Sequence, residues 1–327
     1  VASSFTIVIV GQKGRLEAEA VLFAASLRAS DTAFAGSLVV AEPQPGPLWP
    51  DDPRMDAETH ALLAEFGAEL VPFESRHFGA GYPNGNKAEA LAALPPDEPF
   101  LFFDTDTLVT GPLSAIPFDF ARPTASMART NTWPVTELYG PGPTETWRAL
   151  YDRFGLDFES SLDLTQPEGF WRRYLYFNAG WFLGPCPRRF EARLTGMMVS
   201  IRDDTPAALV CQPLYPWLDQ IALPLAIHEA GGGRPGPELA PLDGTATCHY
   251  RALPLLYATA PDATVALLED ITRPNRIKKV LKRHEPARRM IWQGKGAAAR
   301  ALFDRADLPR SQQAIQNRLK REKLWLR

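Results

Sequence analysis

The chain has 327 residues, with 45% apolar and 22% charged side chains, ordinary globular usage that excludes a disordered tail or a fibrous repeat. Its 35 basic and 38 acidic residues leave a formal net charge of −3, a balance that at first sight argues against a polyanion-binding protein. The charges are unevenly spread, however. Residues 271–327 hold 17 Lys/Arg against four Asp/Glu, a net +13, and the remainder carries −16. An acidic body with a basic C-terminal segment suggests an interaction tail, for which an anionic membrane or a nucleic acid is the usual partner.

The first half alternates strand-like and helix-like segments. Residues 5–11 form a β-branched apolar run of the kind found in buried parallel strands, and 15–28 follow with Val21, Ala24, Ala25 and Leu27 at helical spacing. A second strand is expected at 37–41, and a helix at 56–66 with Asp56 as its N-cap. A third strand at 68–73 precedes a helix at 86–94 with Lys87 in its first turn, and a fourth strand runs over 99–104. This order predicts an α/β fold with a mostly parallel sheet covered on both faces.

The middle is less regular. Residues 110–143 are rich in Pro, Gly and Thr, 143–154 read as a helix, and the aromatic stretch 171–183 reads as strand around Asn178. Helices are expected at 188–201 and at 217–227, the second kinking or stopping at Pro224. After a Gly/Pro loop, residues 246–251 form a strand containing Cys248, His249 and Tyr250. In the basic segment, Ile277, Val280 and Leu281 fall at helical spacing, and Ser311 caps a helix carrying Ile315, Leu319 and Leu326. This gives two units, an α/β body over 1–255 and a basic helical segment over 256–327.

The ends and the cysteines speak to compartment. Cys186, Cys211 and Cys248 include no CxxC pair, so neither a disulfide framework nor a zinc knuckle is supported. No basic n-region precedes the first strand, and the longest charge-free runs have 14 residues and contain prolines, too short to span a bilayer as helices. A cytoplasmic protein is expected, with any membrane contact peripheral.

Asp104-Thr105-Asp106 is the most informative triplet. A bare DxD arises about once by chance in a chain of this composition; its place at the carboxyl end of Pro99-Phe100-Leu101-Phe102-Phe103 carries the information. Ligands of open α/β sheets bind outside those strand ends, and residues two apart on an extended backbone point the same way. Two converging carboxylates invite a hard divalent ion, Mg²⁺ or Mn²⁺, with coordination positions left for diphosphate oxygens. The simpler alternative is a polar strand end.

The stretch from Phe102 to Val109 resembles the DxD strand of GT-A glycosyltransferases, especially the glycogenin- and galactosyltransferase-like family 8 group. Further pieces lie in that family's order. Asn86-Lys87 precedes the DxD, Tyr176-Phe177-Asn178-Ala179-Gly180 is similar to the family's FNAG strand, Leu218-Asp219-Gln220 to its DQ helix start, and Cys248-His249-Tyr250 falls where its metal-binding histidine lies. The resemblance covers roughly residues 5–251. It implies a mixed, mainly parallel GT-A sheet and a nucleotide-sugar donor, a UDP-sugar favoured, with a glycan, lipid-linked or protein acceptor. It implies metal ligation by Asp104, Asp106 and His249, donor contacts from Lys87, Asp104 and Asn178, and catalytic roles for Asp219 and Gln220. The family's HFxGxxKPW context is replaced after His249 by Tyr250-Arg251-Ala252-Leu253, where Arg251 supplies the missing positive charge.

If configuration is retained, the leaving phosphate assists the acceptor; if it is inverted, Asp219 is the candidate base. Without the resemblance, His249 reads as a strand histidine and Asp219 as a first-turn acid favoured by the helix dipole. Trp171, Trp181 and Trp217 read as core. Gly11-Gln12-Lys13-Gly14 is neither GxGxxG nor a P-loop, which weighs against a dehydrogenase. A metal-dependent nucleotidyltransferase and a non-catalytic nucleotide-binding protein with a basic tail stand as alternatives. For the tail, an anchor on an anionic membrane and a helical cap packed on the body are both open, and no nucleic-acid partner is expected.

Overall fold

The computed structural model describes residues 5–128, 133–135 and 139–326. Its centre is a six-stranded sheet ordered β3-β2-β1-β4-β7-β6, formed by β1 (Thr6–Val10), β2 (Ser37–Pro43), β3 (Ala68–Phe73), β4 (Phe100–Phe103), β6 (Thr124–Ala125) and β7 (Trp181–Gly184). β1 pairs in parallel with β2 and β4, and β2 with β3, whereas β7 runs antiparallel to β4 and β6. A second, two-stranded antiparallel sheet joins β5 (Thr107–Val109) to β8 (Thr247–His249). This is the mixed, mainly parallel and helix-flanked sheet expected of a GT-A fold.

Both faces of the sheet are dry, and the sequence shows why. Ile7, Ile9, Leu38, Val40, Leu101 and Phe103 enter one apolar core, while their chain neighbours Val8, Val10, Val39, Ala41, Phe100 and Phe102 enter the other. Consecutive strand side chains alternate between faces, so a strand covered on both sides must be apolar throughout. The first core is closed by α1 (Arg15–Ser30). Helices α2 (Ala57–Glu65), α3 (Asn86–Glu89, continued as a 3-10 turn over Ala90–Ala93), α4 (Pro143–Arg153), α5 (Pro187–Asp203) and α6 (Leu218–Glu229) follow in the chain. α6 continues through Pro224.

One local expectation is corrected, and another holds in position but without its side-chain bond. Within the stretch 171–183, only β7 is strand; Trp171–Arg173 is a 3-10 turn and Ala179 sits at φ +56°. That left-handed residue breaks the strand and turns the chain, and the Gly180 carbonyl then accepts the Asp104 N–H at 2.8 Å. Asp56 occupies the N-cap position of α2 but makes no capping bond with its side chain. Its backbone N–H donates to the Glu17 carboxylate at 2.9 Å and its carboxylate lies 3.6 Å from Arg283.

The basic segment is helical and packed. α7 (Leu253–Thr259) spans the expected boundary at 255. It is followed by α8 (Asp262–Ile271), α9 (Asn275–Leu281), α10 (Glu285–Ala287, widening over Arg288–Trp292), α11 (Lys295–Ala301) and α12 (Gln312–Arg321). Ile277, Val280, Leu281, Met290, Phe303, Ile315 and Leu319 belong to the same core as Ile7 and Phe103. Part of the tail's charge is matched on α2, where Arg276 meets Glu65 at 2.7 Å, Lys279 meets Glu58 at 3.2 Å and Arg283 also pairs with Glu58. Exposed pairs like these contribute about 0–1 kcal/mol each, so the apolar contacts hold the segment. No helix among the described residues is long and apolar enough to cross a membrane.

Leu281 is fully buried between the segment and the body. Leu281→Ala is expected to lower the unfolding free energy by about 2–5 kcal/mol, read by urea titration. A change under about 0.5 kcal/mol, the range of surface substitutions, would mean that the segment does not share the core.

Candidate active site

The carboxyl ends of β1 and β4 open onto a cleft of about 380 Å³. Asp104 and Asp106 follow directly after β4 and flank Thr105, whose hydroxyl donates to the Val10 carbonyl at 2.7 Å. This bond ties the acidic loop to the end of β1. His249 arrives by strand pairing. In the β5–β8 ladder it lies opposite Thr107, and the next N–H, of Tyr250, donates to the Asp106 carbonyl at 2.9 Å. His249 Nε2 then lies 3.1 Å from Asp106 Oδ1 and 3.7 Å from Asp104 Oδ2.

One ligand atom from each of Asp104, Asp106 and His249 lies within 4.8 Å of the others, a spread that one ion can bridge. Two carboxylate oxygens and an imidazole are a donor set that a divalent cation accepts. Cys248 points to the other side of β8 and packs against the apolar core. Burial pushes its thiol up to about 11, which makes it a poor ligand near neutral pH.

Gly180 makes this approach of His249 possible. A Cβ there would stand 2.5 Å from His249 Nδ1 and 3.0 Å from Asn178 Oδ1. The glycine of the FNAG-like stretch thus serves the histidine of β8, a relation invisible along the chain.

The cluster is strongly polarised. Burial and the adjacent Asp106 charge push the Asp104 carboxyl up, against the pull of Lys87 and His249. Burial also works against the Asp106 charge, but His249, Arg15 and Lys87 outweigh it and hold that carboxyl well below its usual range. Lys87 Nζ sits 2.8 Å from Asp104 and 3.2 Å from Asp219. Burial disfavours its ammonium, yet the two carboxylates prevail and raise its pKa. Arg15 lies 3.3 Å from Asp106 and 2.9 Å from Glu19.

The other expected residues divide into two layers. Asn178, Gln220 and Arg251 line the cleft. Asn178 uses its amide on the backbone, donating to the Ala128 carbonyl and accepting from Gly180 N–H at 2.7 Å. The Tyr176 hydroxyl donates to Gln220 Oε1 at 2.6 Å. Arg251 takes a left-handed backbone, φ +59°, uncommon for a side-chain-bearing residue and often found at functional sites. Asp219 stands one layer back, 3% exposed. Besides Lys87 it receives the Tyr82 hydroxyl at 2.7 Å.

Of the three tryptophans read as core, Trp181 is buried and donates to Asp243 at 2.8 Å, while Trp171 and Trp217 are half-buried at the edge of the second core. Sequence reasoning missed Arg15, Asn84, Gln312, Gln316 and Trp325 among the cleft-lining residues. Arg15 had a signal, since it opens the helix after β1 and so stands at the ligand edge of the sheet. The three C-terminal residues had none.

A family model described as "Rhodobacterales glycosyltransferase domain" matches residues 7–231. Among solved structures, the galactosyltransferase LgtC, in complex with donor and acceptor sugar analogs, is 14% identical, covers 84% of this chain and 95% of its own, and has a TM-score of 0.47. The bifunctional glycosyltransferase WbbM, in an apo structure, is 15% identical, covers 87% of this chain and 52% of its own, with a TM-score of 0.47. An active-site mutant of LgtC is 14% identical over 81% and 95%, with a TM-score of 0.48. No curated protein matches the chain.

Gly180→Ala is expected to drive His249 off the two aspartates. Mn²⁺ affinity, read by calorimetric titration, should fall about 10–100-fold, the cost of disturbing a ligand's support. Unchanged affinity would show that His249 has no part in ion binding.

Proposed function

Because the chain belongs to the Rhodobacterales glycosyltransferase domain family, we propose that this glycosyltransferase moves a sugar from a nucleotide-diphosphate donor, a UDP-sugar in the first instance, to a glycan or envelope acceptor. The observation that carries this reading is the juxtaposition of Asp104, Asp106 and His249 with Lys87 and Arg251 at the carboxyl edge of the sheet. Dense anionic ligands for a cation, with fixed cations beside them, suit a diphosphate bound through a divalent ion. A nucleotidyltransferase or a non-catalytic binder is not favoured, because the matched family is one of glycosyltransferases.

Transfer breaks the bond between the sugar's anomeric carbon and the diphosphate oxygen, and negative charge grows on that oxygen. Asp104, Asp106 and His249 would hold a divalent ion, Mn²⁺ or Mg²⁺, which would supply Lewis acidity to that oxygen. Lys87 and Arg251 add positive charge where the diphosphate departs, in a site already organised for it. Asp219 acts through Lys87: with Asp104 it keeps the ammonium protonated and aimed. Gln220, its Oε1 fixed by Tyr176, faces the anomeric carbon, and Asn178 shapes the sugar end. The burial of Asp219 beneath Lys87 argues against its serving as a base on an acceptor, so the reading favours retention, with the acceptor proton passing to the leaving phosphate oxygen.

A thermal-shift panel of UDP, GDP and CMP and their sugars, with and without Mn²⁺, identifies the donor. A ligand present at about 100 times its Kd adds about 2.7 kcal/mol of stability. The UDP compounds are expected to raise Tm with Mn²⁺ and much less without it. Asp104→Asn combined with Asp106→Asn is expected to reduce turnover of the identified donor by about 10²-fold or more. Full turnover in that double variant would refute the reading.

A further inference from the structure

The basic C-terminal segment does more than cover the core. Gln312 and Gln316 are one helical turn apart on α12, share a face, and both line the cleft. Between them Ile315, and beyond them Leu319, sink into the core, which locks the rotation of the helix and turns the two amides toward the site. Ser311 caps the helix by accepting the Ala314 N–H at 3.1 Å.

The far end of α12 is equally defined. Leu324 N–H bonds the Leu319 carbonyl at 2.8 Å and Lys323 N–H bonds the Lys320 carbonyl at 3.0 Å, with Lys323 at φ +54°. This is the Schellman pattern, a left-handed residue followed by an apolar one that folds back on the helix. Leu324 is buried by it, and Trp325 is carried back to the cleft wall.

Arg251 connects this helix to the proposed chemistry. Its strained backbone carries a long side chain, and Gln312 Oε1 accepts from its guanidinium at 3.2 Å. A long cationic side chain left loose must be ordered each time ligand binds, and a fixed partner removes that cost beforehand.

We propose that α12 and its C-terminal turn complete the donor pocket: Gln312 is a positioning residue that holds Arg251 toward the diphosphate, and Gln316 and Trp325 contact the nucleotide. The inference rests on the donor reading given above. An amide and a half-buried indole fit this role, since amides hydrogen-bond base, ribose or phosphate groups and an aromatic face stacks on a base.

Calorimetric titration of the full chain with Mn²⁺ present tests it, using UDP or whichever of GDP and CMP the parent chain binds. Gln312→Ala is expected to weaken the nucleotide about tenfold, to add no further loss on top of Arg251→Ala, and to leave the affinity for Mn²⁺ alone unchanged. Gln316→Ala and Trp325→Ala should each weaken the nucleotide, and Trp325→Phe should remove the tryptophan quenching that the nucleotide causes. An absent effect of Gln312→Ala, or one additive with Arg251→Ala, overturns the positioning role. Parent-like affinity in Gln316→Ala and Trp325→Ala, or parent-like quenching in Trp325→Phe, overturns the contact role. If the parent binds nucleotide and the variants match it, this inference alone fails. If the parent binds none of the three, the donor reading fails with it.

Discussion

Three carboxylates, Asp104, Asp106 and Asp219, converge at the end of a sheet that is apolar on both faces. Water cannot screen them well there, and like charges at this spacing cannot all ionise without compensation. The site is organised around that problem. Lys87 bridges two of the acids, Arg15 and His249 flank the third, and Arg251 approaches from the last turn before α7. Arg15, Lys87 and the His249–Arg251 stretch come from separate parts of the chain, so satisfying the carboxylates brings α1, α3 and the end of β8 to the strand ends and to Asp219 of α6.

The same constraint explains several features that look unrelated along the chain. β5 and β8 form a short sheet of their own, and its register delivers His249 beside Asp106. Gly180 leaves room for that imidazole, and Ala179 adopts an unusual backbone that brings the Gly180 carbonyl to the Asp104 N–H. Tyr82 donates to Asp219, so this most buried of the acids has two partners. An aspartate satisfied in this way is suited to steadying a neighbouring cation and poorly suited to leaving the network to take a proton.

The basic segment belongs to this logic as well. A near-neutral whole-chain charge hides an acidic body and a +13 segment, and part of that charge is matched on α2 and within the segment itself. Its apolar side chains share the core of the sheet and its last helix reaches the cleft. Screened surface charge alone would not hold it so closely; the buried stripe of Ile315, Leu319 and Leu324 does.

Much of the fold was legible in the sequence because its signals are local. Runs such as Ile7–Val10 and Phe100–Phe103 are short and apolar at every position, as strands buried on both faces require, and helical spacing marked α1, α5 and α9. The carboxylates and Lys87 could be named because their place next to a strand end is itself a statement about where ligands bind. The sequence also identified the chain as glycosyltransferase-like through the order of short motifs. It could not show that residues 174–180 leave the strand, since aromatic composition favours strand while the bonds that bend the chain come from Ser126 and Asp104. Nor could it show that Asp219 lies behind Lys87, or that Gln312, Gln316 and Trp325 join a cleft built mainly some 60 or more residues earlier. Those relations depend on strand register and on which helix face meets the core, and both are decided only when distant apolar surfaces pack together.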